Sequence, residues 1–387
     1  MKKLMIFFAG AVCATSVMAG LYGDTPTDKH AWAVHDMNRP NPKKISAEPG
    51  VPPSDAIVLF DGTQESFEKN WCNDKGGPTK WKFVNGTLES VARAGNICSR
   101  QTFGDVQLHV EWQPPVKVSG SGQGRGNSGV FLLGGMYEVQ VLDSWETDPD
   151  NMKNPNYADG QAGAVYGQNP PLVNPTRKPG EWQVYDIVFH QPIFDGDKLV
   201  HPGSLTVFLN GVLVQDHWEL EGPTLHCRRT SQSKPKGTKG SIQFQDHGNP
   251  VHFRNVWVRE LPSRYANTTH GKFLAKDADV MALRKEIAAK LFAKIDLNNP
   301  RKHDVIAQIF EVFAYDKDEK YVAAMKRVCE PWLKEISAWD KETAVQHKGE
   351  LFHVRNAANV LHRNKVIDDN CTVRNGVNAV IKKYDLK

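Results

Sequence analysis

The sequence predicts an all-β sandwich of the jelly-roll type over residues 56–261, followed by a smaller all-α domain over 276–387. Two observations carry this. Up to Leu261, short runs of alternating apolar and polar residues are broken repeatedly by Gly, Pro and Asn, as expected of many short strands joined by turns. Beyond Pro262, Gly and Pro become scarce and apolar residues recur at helical spacing. About a dozen short strands with no helical stretches between them point to a sandwich rather than an α/β fold.

Taken in order, residues 1–19 read as a secretory signal: Lys2 and Lys3, an apolar run from Leu4 to Val12, then small residues ending in Val17-Met18-Ala19, with cleavage expected after Ala19. Val12 rather than a small residue precedes Cys13, which argues against lipidation. No later run reaches the roughly 20 apolar residues of a membrane helix, so the chain is expected to be periplasmic or secreted. Residues 20–55, rich in Pro, Asp and Asn with isolated aromatics at Tyr22 and Trp32, are expected to form an extended lead-in draped over the domain that follows.

Within 56–261, Asn85-Gly86 and Asn210-Gly211 each separate two alternating runs, the signal of a type I′ hairpin. Further strands are expected at 56–60, 106–112, 128–133, 137–142, 182–190, 241–246 and 251–260. In the C-terminal region, MALRKEIAAKLFAKI, HDVIAQIFEVFAY, EKYVAAMKRVCEPWLKEI and VNAVIKKYDL each give an amphipathic stripe, which predicts four to six helices without a catalytic motif.

At 387 residues and 40% hydrophobic composition, the chain can bury a sizeable core and is expected to form two domains. The net charge of +4 is small, and the one basic stretch, RRTSQSKPKGTK from Arg228, reads as an exposed loop, which argues against nucleic-acid binding. The glycine-rich SGSGQGRGN lacks the Gly-Lys-Ser/Thr ending of a phosphate-binding loop. Cys72, Cys98, Cys227, Cys329 and Cys371 contain no Cys-x-x-Cys pair, so neither a zinc ribbon nor a redox motif is supported. Bridges Cys72–Cys98 and Cys329–Cys371 both stay open as expectations in an oxidising compartment, and the odd count leaves a free thiol.

Period-two parity sorts the strand side chains by face. Glu138 and Gln140 oppose the apolar set Tyr137, Val139 and Val141; Gln243, Gln245 and His247 oppose Ile242 and Phe244; Gln107, His109 and Glu111 oppose Val106, Leu108, Val110 and Trp112. An ordinary solvated strand face carries Lys, Thr and Glu. Amide, carboxylate and imidazole groups instead grip sugar hydroxyls or move protons, so these three rows are expected to line one concave carbohydrate groove. Asp143 has the wrong parity for it unless a bulge or the strand end re-aims it.

The collinear strings NSGVF, YEVQVLDS, AGAVYG with a following Pro-rich loop, GEWQVYDIVF, LNGV and IQFQDHGNPVHFRNVWV resemble the 3-keto-disaccharide hydrolase family over about residues 55–261. The resemblance implies a concanavalin A-like jelly roll acting on glycosides already oxidised at carbon 3, by elimination across C1–C2 and hydration. It also implies functional coupling to a glycoside 3-dehydrogenase and no nucleotide or flavin cofactor. A 3-ketone acidifies the neighbouring C–H, so one carboxylate or imidazole can act as base, with a donor or metal near the carbonyl to hold the enolate. Two readings compete: a non-catalytic lectin-like module, and a conventional glycosidase with two carboxylates about 5–9 Å apart, for which Glu111, Glu138 and Asp143 are available. The C-terminal helices lie outside the resemblance.

Each candidate carries a plainer reading beside the functional one. Glu138 is expected as general base or metal ligand and Gln140 as a hydroxyl or carbonyl contact, against a merely solvated strand face. His247, beside Gln245, is expected as acid, base or ligand, against a turn residue. Glu111 is a catalytic candidate, with His109 structural. Asn127 and Ser128 follow a glycine-rich loop that is either slack or brings backbone amides and Arg125 to a ligand. Arg100 would orient a carboxylate or polarise the ketone, against a plain surface charge. Tyr166 and Trp182 are stacking platforms for a pyranose, against core packing. A divalent metal would be assembled from Glu138, Asp143 and His247 on separate strands, and Asp148 and Asp150 are candidates for a structural calcium.

Overall fold

The computed structural model describes residues 23–262 and 277–387; the expected secretory signal lies outside the described residues. The chain forms two compact units, one comprising Lys43–Ser263 and the other joining 23–42 to 277–387.

In the first unit the elements run β1 (Ile57–Phe60), α1 (Gln64–Asn70), β2 (Trp71–Asn73), β3 (Lys82–Val84), β4 (Thr87–Glu89), β5 (Ile97–Phe103), β6 (Val106–Gln113), β7 (Ser128–Leu132), β8 (Tyr137–Val141), β9 (Gln183–His190), β10 (Ile193–Asp195), β11 (Lys198–His201), β12 (Ser204–Leu209), β13 (Val212–Glu219), β14 (Gly240–Phe244) and β15 (His252–Glu260). Every strand pairing among the described residues is antiparallel. One sheet has eight strands in the order β13-β12-β9-β6-β15-β4-β3, with β1 also on β15; another has five, β2-β5-β14-β7-β8; β10 and β11 form a separate ribbon. Both hairpin turns have the positive φ that a type I′ turn requires, 48° and 78° at Asn85 and Gly86, 54° and 80° at Asn210 and Gly211.

The inner faces share one core, built from Val106, Leu108, Val110 and Trp112 of β6, Tyr185, Ile187 and Phe189 of β9, Val130 and Leu132 of β7, Tyr137, Val139 and Val141 of β8, and Ile242 and Phe244 of β14. An aromatic column ties the sheets together. Phe244 of the five-stranded sheet stacks on Phe253 of the eight-stranded sheet at 4.2 Å and 3°; Trp71 extends the column on one side at 5.0 Å and Trp81 on the other at 5.9 Å.

Sheet membership corrects one expectation. β6 belongs to the eight-stranded sheet, whereas β8 and β14 belong to the five-stranded one. Outward parity therefore sends Gln107, His109 and Glu111 to the opposite side of the sandwich from Glu138 and Gln245, and the three polar rows line two faces rather than one groove. Parity within a strand cannot tell which sheet that strand joins.

The lead-in is likewise divided. Asp55 holds Arg259 of β15 through two contacts of 2.8 Å, but 23–42 pack with the helices: Ala31 and Ala33 sit in the helical core, Trp32 meets Tyr315 edge-on at 6.1 Å, and Asn38 donates to Glu311. The helices are α2 (Asp277–Phe292), α3 (Lys302–Tyr315), α4 (Glu319–Ser337), α5 (Lys341–Gln346), α6 (Lys348–Arg363) and α7 (Thr372–Lys383). α3 is buried on nearly all sides between α2, α4 and α6, which explains its near-continuous apolar sequence. Asp318 and Asp340 cap α4 and α5. Among the described residues no helix is long and apolar enough to cross a membrane, and all five cysteines are thiols; Cys72 and Cys98 lie directly opposite each other on β2 and β5.

Truncating Phe253 removes the contact that joins the sheets as well as a fully buried ring. Phe253→Ala is expected to lower stability by about 3–5 kcal/mol, read as a fall in the urea midpoint.

Candidate active site

β8 is buried along its whole length. Its inner side faces the core. Its free edge is closed by 163–166: Gly163 N donates to Gln140 O at 3.0 Å, Gln140 N to Ala164 O at 3.0 Å, and Tyr166 N to Glu138 O at 3.1 Å. Over the outer face stand the glycine-rich loop around Gln123 and the 222–228 loop, the latter anchored where Thr224 N donates to Met136 O at 2.8 Å. Between them lies a cavity of about 240 Å³ lined by Gln123, Asn127, Phe131, Glu138, Gln140, Tyr166, Thr224, Leu225, His226, Gln245 and His247. That is just below the usual range of ligand pockets, roughly 300–1,000 Å³, and suits one sugar ring.

At its floor the Glu138 side chain is almost wholly buried, and among the described residues its carboxyl makes no hydrogen bond. Burial alone pushes its pKa up to about 8. The carboxyl lies flat against β7 at Gly129, where a Cβ would come within 2.3 Å of Glu138 Oε1. Glycine at that position is what leaves room for it. Beside it, Gln140 Nε2 donates to Gln123 Oε1 at 3.1 Å and to Asn127 Oδ1 at 3.4 Å, while Asn127 Nδ2 donates to Gln123 O at 2.7 Å. Among the described residues the buried oxygens Gln140 Oε1 and Gln245 Oε1 have no hydrogen-bond partner, an arrangement that costs free energy unless a ligand or solvent hydroxyl supplies the donor.

The opposite wall is a hydrogen-bonded chain. The Tyr157 and Tyr166 hydroxyls are 2.8 Å apart, Tyr166 Oη is 2.9 Å from His226 Nδ1, and His226 Nε2 is 3.2 Å from Cys227 Sγ. Burial, reinforced by the Tyr157 contact, holds the Tyr166 hydroxyl well above the usual phenol range, so it stays protonated and able to donate. His247 stands exposed at the rim next to Gln245.

The structure thus gathers Glu138, Gln140, Asn127, Tyr166, Gln245 and His247, and leaves the other expected residues elsewhere. Glu111, on the far sheet, accepts from Arg254 Nε at 2.6 Å and from Asn255 Nδ2 at 2.8 Å. Although burial raises its pKa, those bonds outweigh it and hold the carboxyl below the ordinary range. Trp182 lies under the Arg254 guanidinium at 3.9 Å on that same far face, rather than over a sugar site. Asp143 follows the end of β8 and is buried against Arg125, whose Nε donates to its Oδ2 at 2.5 Å; Arg125 also reaches Glu146 at 2.7 Å. Arg125 is therefore a strut of the glycine-rich loop, which is not slack. Ser128 faces inward and donates to Gln245 O at 2.7 Å. Arg100 lines a separate cavity.

With Asp143 committed to Arg125, the set Glu138, Asp143 and His247 does not assemble as metal ligands, and among the described residues no cluster of three or more His, Cys, Asp or Glu could hold a metal ion. Asp148, expected with Asp150 as a calcium site, accepts from the Asp150 backbone N–H at 2.8 Å in an exposed turn. Gln123 and His226 carried no sequence signal of their own. Both sit in irregular loops, where no periodicity reveals facing; a glutamine flanked by glycines and a histidine between two hairpin-closing segments become meaningful only once the loops fold over β8.

Comparison with known proteins bears on this geometry. A family model described as a 3-keto-alpha-glucoside-1,2-lyase-like domain matches residues 55–259. The chain belongs to this family. Its span takes in both sheets and every residue lining the cavity. A 3-keto-disaccharide hydrolase of Bacteroides thetaiotaomicron is 22% identical over 316 residues, covering 67% of this chain and all of that protein. A solved structure from Parabacteroides distasonis, provisionally named a glycosyl hydrolase, is 40% identical with a TM-score of 0.53 over 60% of this chain and 98% of that one. The family is carbohydrate-active, and these relatives are named as glycoside-cleaving enzymes.

Because Gly129 is the floor under the carboxyl, Gly129→Ala must displace Glu138. Loss of activity by at least tenfold is expected while far-ultraviolet circular dichroism stays that of the parent protein; full activity would show that the carboxyl is not held there.

Proposed function

We propose that the protein cleaves 3-keto glycosides by elimination across C1–C2 followed by hydration, with Glu138 as the base. The observation that carries the proposal is a single carboxyl in the cavity, partnerless and raised toward neutrality, surrounded by amides. A base is most effective when its pKa lies near the working pH. Glu138 takes the proton from C2 and the electron pair moves onto the C3 carbonyl oxygen as an enolate. Return of that pair expels the aglycone oxygen from C1 and leaves a C1=C2 double bond. Water then adds its oxygen at C1, with a proton delivered to C2. The His247 imidazole is the candidate to hold the enolate oxygen, the free oxygens of Gln140 and Gln245 to accept from the sugar hydroxyls, and Tyr166, backed by His226, to protonate the departing oxygen.

A conventional glycosidase needs a second carboxylate about 5–9 Å from the first. Glu138 is the one carboxylate among the lining residues of this cavity, so the elimination route is the better supported. A substrate already oxidised at carbon 3 must come from an oxidation step, and a glycoside 3-dehydrogenase is the class of enzyme that would supply it. The Lys2–Ala19 segment supports a periplasmic or secreted site of action, tested by fractionating cells that express the full chain.

Aglycone release from a 3-keto glucoside, but not from its unoxidised counterpart, is the expected result. Release from the unoxidised sugar would overturn the elimination route, and binding without release would make the protein a lectin. Glu138→Gln should lower turnover by roughly 10²-fold or more. Since the base must be ionised, activity should rise with pH through about 8 and then level.

The same carboxyl makes stability pH-dependent in the opposite sense. Between its ordinary 4.5 and about 8, the folded protein holds a proton that the unfolded chain releases, so stability falls as pH rises through that window. Glu138→Gln should remove that part of the slope, becoming more stable than the parent above pH 8 in thermal melts.

A further inference from the structure

The helical unit buries two carboxyls that the chemistry proposed above does not use. Asp36, on the 23–42 segment, and Glu311, within α3, are only 7% and 8% exposed. One neutral group serves both: Asn38 Nδ2 donates to Asp36 Oδ1 at 3.1 Å and to Glu311 Oε1, which commits both of its N–H bonds. Asp36 Oδ1 also accepts from the Asn38 backbone N–H at 2.8 Å, whereas Asp36 Oδ2 is buried with no partner among the described residues.

Among the described residues no cation pairs with either carboxyl. Lys294, beyond the end of α2, favours ionisation of Glu311 without a hydrogen bond, and Asp36 opposes it; α4 and α6, which also pack near α3, add no charge to these two. Arg284 of α2 donates instead to Ala314 O at 3.3 Å, and His35 and Arg39 lie exposed on the segment itself without an ion pair. Burial, with the Asp36 charge added to it, pushes Glu311 up to about 7 in spite of Asn38 and Lys294, and burial raises Asp36 as well. In acid at least one carboxyl is neutral and the shared amide suffices. Once both ionise, two negative charges face each other across one neutral donor, away from water.

The segment can yield to that repulsion at little cost to the helices. It contains neither helix nor strand, and besides Asn38 it is held by Ala31 and Ala33 in the helical core, the edge of Trp32 on Tyr315, and a 3.5 Å contact from Thr25 N to Asn364 Oδ1. Lifting it carries Asp36 into water and leaves the backbone hydrogen bonds of the helices intact, the pattern of a local opening rather than of global unfolding. We propose that Asp36, Asn38 and Glu311 form a pH-operated latch, which fastens 23–42 to the helical unit in acid and loosens it as the medium passes neutrality. Between the ordinary 4.5 of Glu311 and about 7, the fastened form holds a proton that the open form releases. Fastening therefore weakens as pH rises through that window, by up to about tenfold per pH unit for one proton.

The test is amide hydrogen exchange of the full chain at acid and at alkaline pH, corrected for the intrinsic rates and read by mass spectrometry on peptides from 23–42, α4 and α6. In the parent protein the opening equilibrium of 23–42 is expected to rise at least tenfold from the acid to the alkaline sample while α4 and α6 keep their protection. Glu311→Gln retains an acceptor for Asn38 but cannot ionise, so its 23–42 segment should stay protected at both pH values. Protection of 23–42 that ignores pH in the parent, or that falls as much in Glu311→Gln, overturns the latch. Equal loss of protection in α4 and α6 also overturns it, because the pair would then govern the whole helical unit. Asp36→Asn covers a Gln variant that does not fold: it removes the other charge, and an undiminished rise in it is equally decisive against the latch.

Discussion

A strand covered on both faces has no inexpensive place for a carboxyl, and that constraint on β8 organises the site. Val139 and Val141 face the core, so Glu138 and Gln140 must face outward; the loops above then remove them from bulk water. An ionised carboxylate without a partner there is costly, and the protein holds it as an acid up to about pH 8. What would be a defect in a purely structural sheet is the property a proton-abstracting group needs. The glycine beneath it and the amides beside it follow from the same constraint, because a larger residue at Gly129 would collide with the carboxyl and an apolar one at Gln140 would take from Asn127 Oδ1 its donor and from Gln123 Oε1 one of its two.

The supports of this arrangement lie one layer out. Arg125 is buried between Asp143 and Glu146 and so pins the glycine-rich loop that presents Gln123 and Asn127. Removing one member of such a buried pair typically costs several kcal/mol because the other charge is left unpaired. Below, the Phe244–Phe253 stack locks the two sheets so that β14 delivers Gln245 to the cavity rather than to solvent.

Strand parity made Glu138, Gln140 and Gln245 readable from sequence, since alternation assigns each residue to a face without knowledge of the rest of the fold. The same logic failed for Glu111 and His109: their strand obeys parity but joins the opposite sheet, and sheet membership is decided by long-range pairing such as that between β6 and β15. Hairpin turns at Asn85-Gly86 and Asn210-Gly211 were readable because the chemistry of positive φ is local. His226 and Gln123 were not, because a loop residue's neighbours come from chain distant in sequence. Asp143 was flagged as a residue of doubtful facing, and the end of β8 does turn it, toward Arg125 and away from the cavity.

The segment 23–42 belongs with helices that begin at 277, and Asn38 meets Glu311 across 273 residues of chain. The β unit is in effect an insertion within the helical one. During synthesis the sandwich has all its strands once Glu260 is available, whereas Ala31, Trp32 and Ala33 have no helical core to join until the last elements are made. Until then an apolar strap trails from a finished sheet domain. Its entropic cost of closure grows only slowly with loop length, and an already folded insertion shortens the effective loop further. The order of translation therefore sets the order of folding, sugar-handling unit first and helical unit last.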